Sequence, residues 1–410
     1  MGPAKRLKKQ PMVDGSSGGP VKLQAEVVQA GAIIGIDKLS VYDLLHVFSF
    51  LNTSDKGSVA QVCRKWKVIV YNKSLWRALR FNEVYVNRTA SMEIVAKSFV
   101  ERGISKVTLC DGLQSPGGSP DSPEVNAITG RRRSLRLLSQ QFCHFTHIMA
   151  QSICFLHLRI SSLEGDTMLQ RAFSVPMPNL SYLGFSFVRN VTKKTMETIS
   201  KNCPGVERFA VLASRVNNDG VSHIVNNLRQ LTILSLSDSR GMTTTGFEII
   251  SLNLASLYYL DLGSTRITDE GIAFLATLPN LSKLFMICCK GITPACIEIL
   301  SNACTPLKVL ELQHSSIAGD LALELVGRSR LTLKELHVGN KDSATTDAGI
   351  NALLSHGHRH YEHLEIYEMS DISRDGMILL AKRLNNLRCL KIRGEDKTDY
   401  AKKAAATESS

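Results

Sequence analysis

The sequence has no apolar run long enough to cross a bilayer. The longest, Val27 to Ile36, is about half of the roughly twenty residues a spanning helix needs. It follows Lys5, Arg6, Lys8 and Lys9, as in a secretory leader, but Lys22 and Glu26 crowd it and no small-residue cleavage motif follows. The expectation is a soluble intracellular chain. Its ten cysteines contain no Cys-x-x-Cys pair, which removes the usual zinc spacing and fits reduced thiols. Catalytic patterns are also missing. There is no Gly-x-Gly-x-x-Gly, no phosphate-binding P-loop, no His-Glu-x-x-His and no Gly-x-Ser-x-Gly. Scattered Cys and His do not make a nucleophile and base, so bond chemistry is not expected. No cofactor is implied.

Charge is lopsided. Residues 1–136 hold 21 Lys/Arg against 11 Asp/Glu, whereas the remainder holds 28 against 26. The long C-terminal part is nearly neutral, which argues against nucleic acid as its main partner. Lys5, Arg6, Lys8 and Lys9 read either as a nuclear localisation signal or as a solvated basic tail.

Tryptophan is scarce, and its placement is informative. Trp66 and Trp76 are the only two, and both fall in the segment from Leu39 to Trp76. Ser40 can cap a helix whose third residue is Asp43. Leu44, Leu45, Phe48 and Leu51 follow at helical spacing. Thr53 or Ser54 can start a second helix leading to Val59, Val62, Cys63 and Trp66, and Asn72 or Ser74 a third with Leu75 and Trp76. About forty residues cannot close a core around two tryptophans, so apolar surface must dock on the rest of the chain or on a partner.

Three short helices with Val62-Cys63-x-x-Trp66 and, ten residues later, Trp76 after Leu75 resemble an F-box. Family members usually begin Leu-Pro, where this chain has Leu39-Ser40. The resemblance implies a Skp-type adaptor as partner and, through it, cullin and RING subunits. It also implies that Leu39, Ser40, Leu44, Leu45, Phe48, Leu51, Val62, Cys63, Trp66, Leu75 and Trp76 carry packing and adaptor contact together. Arg64, Lys65 and Lys67 favour an acidic partner surface.

From residue 153 onward a Leu-x-x-Leu-x-Leu pattern returns every 24 to 28 residues. Its copies begin at Ile153, Leu180, Val206, Leu231, Leu257, Leu281, Leu307, Leu333, Tyr361 and Leu387, and Ile104 begins an earlier one. A second signature follows the pattern, as in Ile267-Thr268-x-x-Gly271 and Ile372-Ser373-x-x-Gly376. Such periods define leucine-rich repeats, in which no single unit closes its own core. With Cys203, Cys289 and Cys304 at recurrent positions, they resemble the cysteine-containing subclass typical of F-box proteins.

The predicted fold is α/β: a three-helix F-box, then a curved leucine-rich-repeat solenoid with parallel strands inside and helices outside. The expected segments are a disordered basic tail (1–35), the F-box (36–82), a first repeat-like unit (83–112), a flexible Ser/Pro/Gly/Arg insertion (113–134), the solenoid (135–395) and a disordered tail (396–410). Ser115, Ser119 and Ser122 in the insertion each precede proline and are candidate phosphosites.

Side chains between the leucines should line the inner face, because residues alternate along a strand. The middle positions are His157, Gly184, Ala210, Ser235, Asp261, Phe285, Glu311, His337, Glu365 and Lys391. The last four alternate acid, His, acid, base and suggest a self-neutralising ladder. Candidate substrate contacts are Tyr182, Arg208, Tyr259, Asp261, Lys283, Phe285, Glu311, His337, Glu365 and Tyr367. His356, His358, His360 and His363 read as a surface turn leading into a strand rather than as a metal site.

By resemblance the chain is expected to be the substrate receptor of an SCF (Skp–cullin–F-box) ubiquitin ligase, in the cytoplasm, the nucleus or both. The adaptor and an unknown protein substrate would be its partners, with no membrane. The alternative is a repeat scaffold outside any ligase, whose N-terminal helices only cap the solenoid. A receptor that uses a small molecule as glue is a further rival.

Overall fold

The computed structural model describes residues 26–29, 32–51, 53–76, 78–82, 92–110, 131–159, 165–186, 192–212, 216–303, 305–317, 319–339, 345–355, 360–367 and 372–393. The chain divides into two compact units, Met1–Leu75 and Trp76–Ser410.

The first unit opens with an antiparallel hairpin, β1 (Glu26–Gln29) and β2 (Ala32–Gly35), in which Val27 pairs with Ile34 and Val28 with Ile33. The expected disordered tail is thus corrected over these residues. The β-branched pairs suit extended backbone. Three helices follow, α1 (Val41–Ser49), α2 (Thr53–Val59) and α3 (Arg64–Val70), then a single 3-10 turn, Lys73–Trp76. The sequence reading joined Val59 to Trp66 in one helix and made Leu75–Trp76 a third. Cys63 explains the difference. Its backbone is extended (φ −158°, ψ 168°) and its Sγ accepts the Trp66 N–H at 3.4 Å, so a new helix starts there.

The second unit holds a twelve-stranded sheet in which strands follow chain order, every neighbour parallel. They are β3 (Ala78–Asn82), β4 (Lys106–Cys110), β5 (Phe155–Arg159), β6 (Tyr182–Ser186), β7 (Arg208–Leu212), β8 (Ile233–Ser235), β9 (Tyr259–Asp261), β10 (Lys283–Phe285), β11 (Val309–Glu311), β12 (Glu335–Val338), β13 (His363–Tyr367) and β14 (Cys389–Arg393). From β5 onward each strand begins two residues after a predicted repeat start. The leucine-rich-repeat solenoid is therefore the fold. β3 extends the sheet into the segment assigned to the F-box. A helix from Arg131 to Met149 takes up the end of the segment expected to be a flexible insertion. Phe142, Phe145 and Met149 are buried from it at roughly one-turn spacing, so apolar packing orders it.

Each repeat is stitched to the next in two ways. The first is the leucine stack: Leu260, Leu284, Leu310 and Leu336 lie side by side in register, each fully buried. The second lies at the helix starts. Asp269 accepts the Thr293 N–H, Asp320 the Thr346 N–H and Asp347 the Ser373 N–H, at 2.9, 2.7 and 2.9 Å. One repeat thereby anchors the residue whose hydroxyl caps the next helix.

At the strand ends, Asp238, Ser264, Cys288 and His314 have left-handed backbone (φ 53° to 61°). Their N–H groups donate to Gly263, Ile287, Gln313 and Gly339, one repeat further on. These backbone bonds hold non-glycine residues in a conformation they seldom adopt.

Candidate functional site

In the N-terminal unit, Ser40 and Asp43 cap α1 reciprocally, and the shared hydrogen bonds hold the Asp43 carboxyl below its ordinary range. Leu44 and Phe48 are buried, and the Phe48 ring meets Trp66 edge-on at 5.4 Å. Leu75 is buried; Leu39, Leu45, Leu51 and Trp66 are half-buried; Ser40, Val62 and Cys63 are exposed. The Trp76 side chain lies outside the described residues. Lys56 donates to the Leu75 carbonyl at 3.0 Å, and burial lowers its pKa.

The structure adds residues that the sequence reading missed. Tyr42 is 83% exposed, Phe50 77% and Val68 75%. Tyr42, His46 and Phe50 are spaced by four and share one face of α1, with the His46 and Phe50 rings 5.0 Å apart. The signal was in the sequence. Val41, Tyr42, Leu44, Leu45, Val47 and Phe48 give α1 apolar residues on more than one side, beyond what one core stripe uses. The exposed cations Arg64, Lys65 and Lys67 neighbour Val62 and Val68 in sequence.

In the second unit, register brings the predicted inner-face residues together. Tyr182 and Arg208 are paired, Asp261 lies beside Phe285, Phe285 beside Glu311, Glu311 beside His337, and His337 beside Glu365. At the early end Phe155 stacks on Tyr182 at 4.1 Å, and the Arg208 guanidinium lies 5.7 Å from the Tyr182 ring centre. His157 contacts the Tyr182 hydroxyl at 3.0 Å and Ser186 Oγ at 2.9 Å. In the middle, Tyr259 and Phe285 rings are 4.7 Å apart. Asp261 accepts hydroxyls from Ser235 and Ser237 at 2.8 and 2.6 Å and the Gly263 N–H at 3.0 Å. Lys283 reaches towards Tyr258.

The expected ladder is in place around Glu365, whose Oε2 lies 3.5 Å from His337 Nδ1, and is corrected at Glu311. Lys391 does stand 3.6 Å from Glu365, which also accepts the Tyr367 hydroxyl at 2.7 Å. Glu311 and Glu365 are only 8% and 6% exposed. Burial, with Glu365 and Asp261 nearby, pushes the Glu311 carboxyl up to about 7. Burial likewise holds the His337 pKa below its usual value. Both shifts weaken ion pairing across the 3.9 Å Glu311–His337 contact.

Cys203 and Cys289 are buried free thiols pushed up to about 12 and about 11 by burial, which makes them poor nucleophiles. Cys304, the three candidate phosphoserines, the N-terminal basic cluster, His356 and His358 lie outside the described residues. Among the described residues no group of three His, Cys, Asp or Glu is placed to hold a metal ion, and no helix is long and apolar enough to cross a membrane.

A model of F-box-like domains matches residues 44–82. The sequence is 23% identical over 327 residues to F-box/LRR-repeat protein 17 of Arabidopsis thaliana, covering 71% of this chain. That match covers 53% of the Arabidopsis protein, so the chain spans about half its length. Identity is also 23% to F-box/LRR-repeat protein 12 of Homo sapiens, over 305 residues, 69% of this chain and 90% of that protein. Among solved structures, a chain in the crystal structure of the Rad7 and Elc1 complex in yeast has 14% identity and a TM-score of 0.49, over 90% of this chain and 96% of that one.

Proposed function

We propose that this chain, an F-box/leucine-rich-repeat protein, is the substrate receptor of an SCF-type ubiquitin ligase. The observation that carries the proposal is large apolar side chains left exposed on α1 and α3, within and beside the stretch that matches F-box-like domains. Tyr42, Phe50 and Val68 expose apolar surface that water disfavours, and flanking cations suit an acidic adaptor of the Skp type. Leu44 and Phe48 build the support beneath that surface.

The solenoid supplies the other half of the proposal. Its inner face presents Tyr182, Arg208, Tyr259, Phe285 and the acids between them, a mixture that suits protein recognition. Holding a substrate there raises the effective concentration of its lysines at the ubiquitin-charged enzyme, so no bond chemistry is required of this chain. A cytoplasmic or nuclear setting belongs to the same proposal, as does degradation of the captured protein.

The test is co-purification of a Skp-type adaptor with the intact chain and with a Tyr42→Ala/Phe50→Ala variant. Both sites are exposed, so the variant should fold normally while adaptor recovery drops. Absence of adaptor from the wild-type chain would leave the scaffold reading in its place.

A further inference from the structure

One centre on the inner face is left incomplete by the contacts among the described residues. Glu311 is 8% exposed, and His337 Nδ1 stands 3.9 Å away, beyond hydrogen-bond reach. Two residues on, Gln313 is 5% exposed and its Nε2 has no hydrogen-bond partner among the described residues. A buried amide without a partner is destabilising, and native chains rarely leave one unless something arrives to satisfy it. Gln313 follows Glu311 by two, in the turn that leaves β11 and just before the left-handed His314. On the neighbouring repeat the His314 N–H bonds the Gly339 carbonyl, which places Gln313 opposite a residue without a side chain.

The surroundings specify the charge of what fits. On the inner positions of β9 to β13, Asp261, Glu311, Glu335 and Glu365 stand with one lysine, Lys283, and two histidines, His337 and His363, the former 3.5 Å from Glu365. Lys391 on β14 already stands 3.6 Å from Glu365, and three donors within the fold occupy Asp261. Phe285 lies directly beside Glu311 in register and carries the Tyr259 ring against it. A carboxyl on one strand and an aromatic face on the next, about 4.8 Å away, is an arrangement that receives a cation by charge and by ring quadrupole.

We propose that this centre binds an arginine or lysine side chain carried on an extended segment of the partner protein. The cation lies against Glu311 and the Phe285 ring, and a main-chain carbonyl of the same segment accepts the Gln313 amide. The proposal rests on the reading that the inner face receives a protein, and it adds the charge that the protein must present. The lifted Glu311 pKa is consistent with it, because a cation would return the carboxyl to its ionised form.

The test uses the full chain to select from a displayed library of random peptides, with adaptor capture measured in parallel. Arginine or lysine should be enriched, and Glu311→Gln should weaken capture of the selected peptides about tenfold, the loss of one desolvated cation contact. Gln313→Leu should weaken capture while leaving the preference for cations. Acidic or purely apolar selections, no enrichment, or full capture by a folded Glu311→Gln protein would overturn the proposal. Adaptor binding without basic selection removes this inference alone. Basic selection without adaptor binding removes the ligase reading and leaves this one standing.

Discussion

Ser40 and Asp43 form a closed pair: the Asp43 N–H donates to Ser40 Oγ at 3.2 Å, and the Ser40 N–H donates to Asp43 Oδ2 at 3.1 Å. The family's usual proline would fit the Ser40 backbone, whose φ is −65°, but it has neither the N–H nor the hydroxyl. Ser40→Ala should therefore lower the stability of the N-terminal unit by about 1 kcal/mol. Ser40→Pro should be no more stable than Ser40→Ala, despite restoring the common residue. Urea unfolding followed at Trp66 reads both. A proline variant more stable than wild type would show that the box contributes little.

Packing and adaptor contact should separate by mutation. Leu44 is fully buried, so Leu44→Ala should cost about 2–5 kcal/mol and unfold this small unit in part. Any loss of adaptor would then follow from unfolding. Phe50 is 77% exposed, and Phe50→Ala should stay within about 0.5 kcal/mol of wild type while adaptor affinity falls. Melting curves and adaptor titration on the same samples decide. Equal losses of stability in both variants would place Phe50 in the core.

The glycine four residues after Thr345, at the place of the signature glycine in Thr345-Thr346-x-x-Gly349, has a packing cause. A Cβ on Gly349, in the first turn of the helix Asp347–Ser355, would lie 2.8 Å from the Asp320 Cα. That aspartate holds Thr346, whose hydroxyl caps the same helix. Glycine to alanine in a helix normally stabilises by about 0.5–1 kcal/mol. Gly349→Ala should instead destabilise by about 1–3 kcal/mol, because the clash involves backbone and displaces a cap. Thermal unfolding measures it, and a gain in stability would exclude the crowding.

The repeat was legible because leucine spacing and strand register are the same periodicity seen twice. Leu260, Leu284 and Leu310 had to align once their spacing was known. Asp261, Phe285 and Glu311 then had to share the opposite face. The stretch that matches F-box-like domains was legible from Trp66 and the α1 stripe. What escaped were features without a period. Cys63 starts a helix by extending its own backbone, and β3 lacks the full leucine pattern. The hairpin at Val27–Ile34 sat in a segment judged by its charged neighbours. The ionisation of Glu311 escaped for a different reason. Sequence places acid, His, acid and base in order, but only burial decides which of them keep their charge.

Glu311 gives the last prediction, in the pH dependence of stability. An exposed glutamate titrates near 4.3, and folding raises Glu311 to about 7. Between these values the folded chain holds a proton that the unfolded chain has lost, so this group makes stability fall as pH rises. Below about pH 4 both states are protonated and the penalty is absent; above about pH 7 it is complete. Glu311→Gln keeps the shape and removes the titration. The variant should match wild type near pH 4 and gain about 1–3 kcal/mol by pH 8, less than the full shift implies, because relaxation of Glu365, Asp261 and His337 around a charged Glu311 offsets part of it. His337, whose pKa folding lowers, titrates in both proteins and largely cancels in the difference. Denaturant titrations at several pH values test this. A variant advantage that is constant with pH, or largest in acid, would show that the Glu311 carboxyl is ionised throughout in the folded chain.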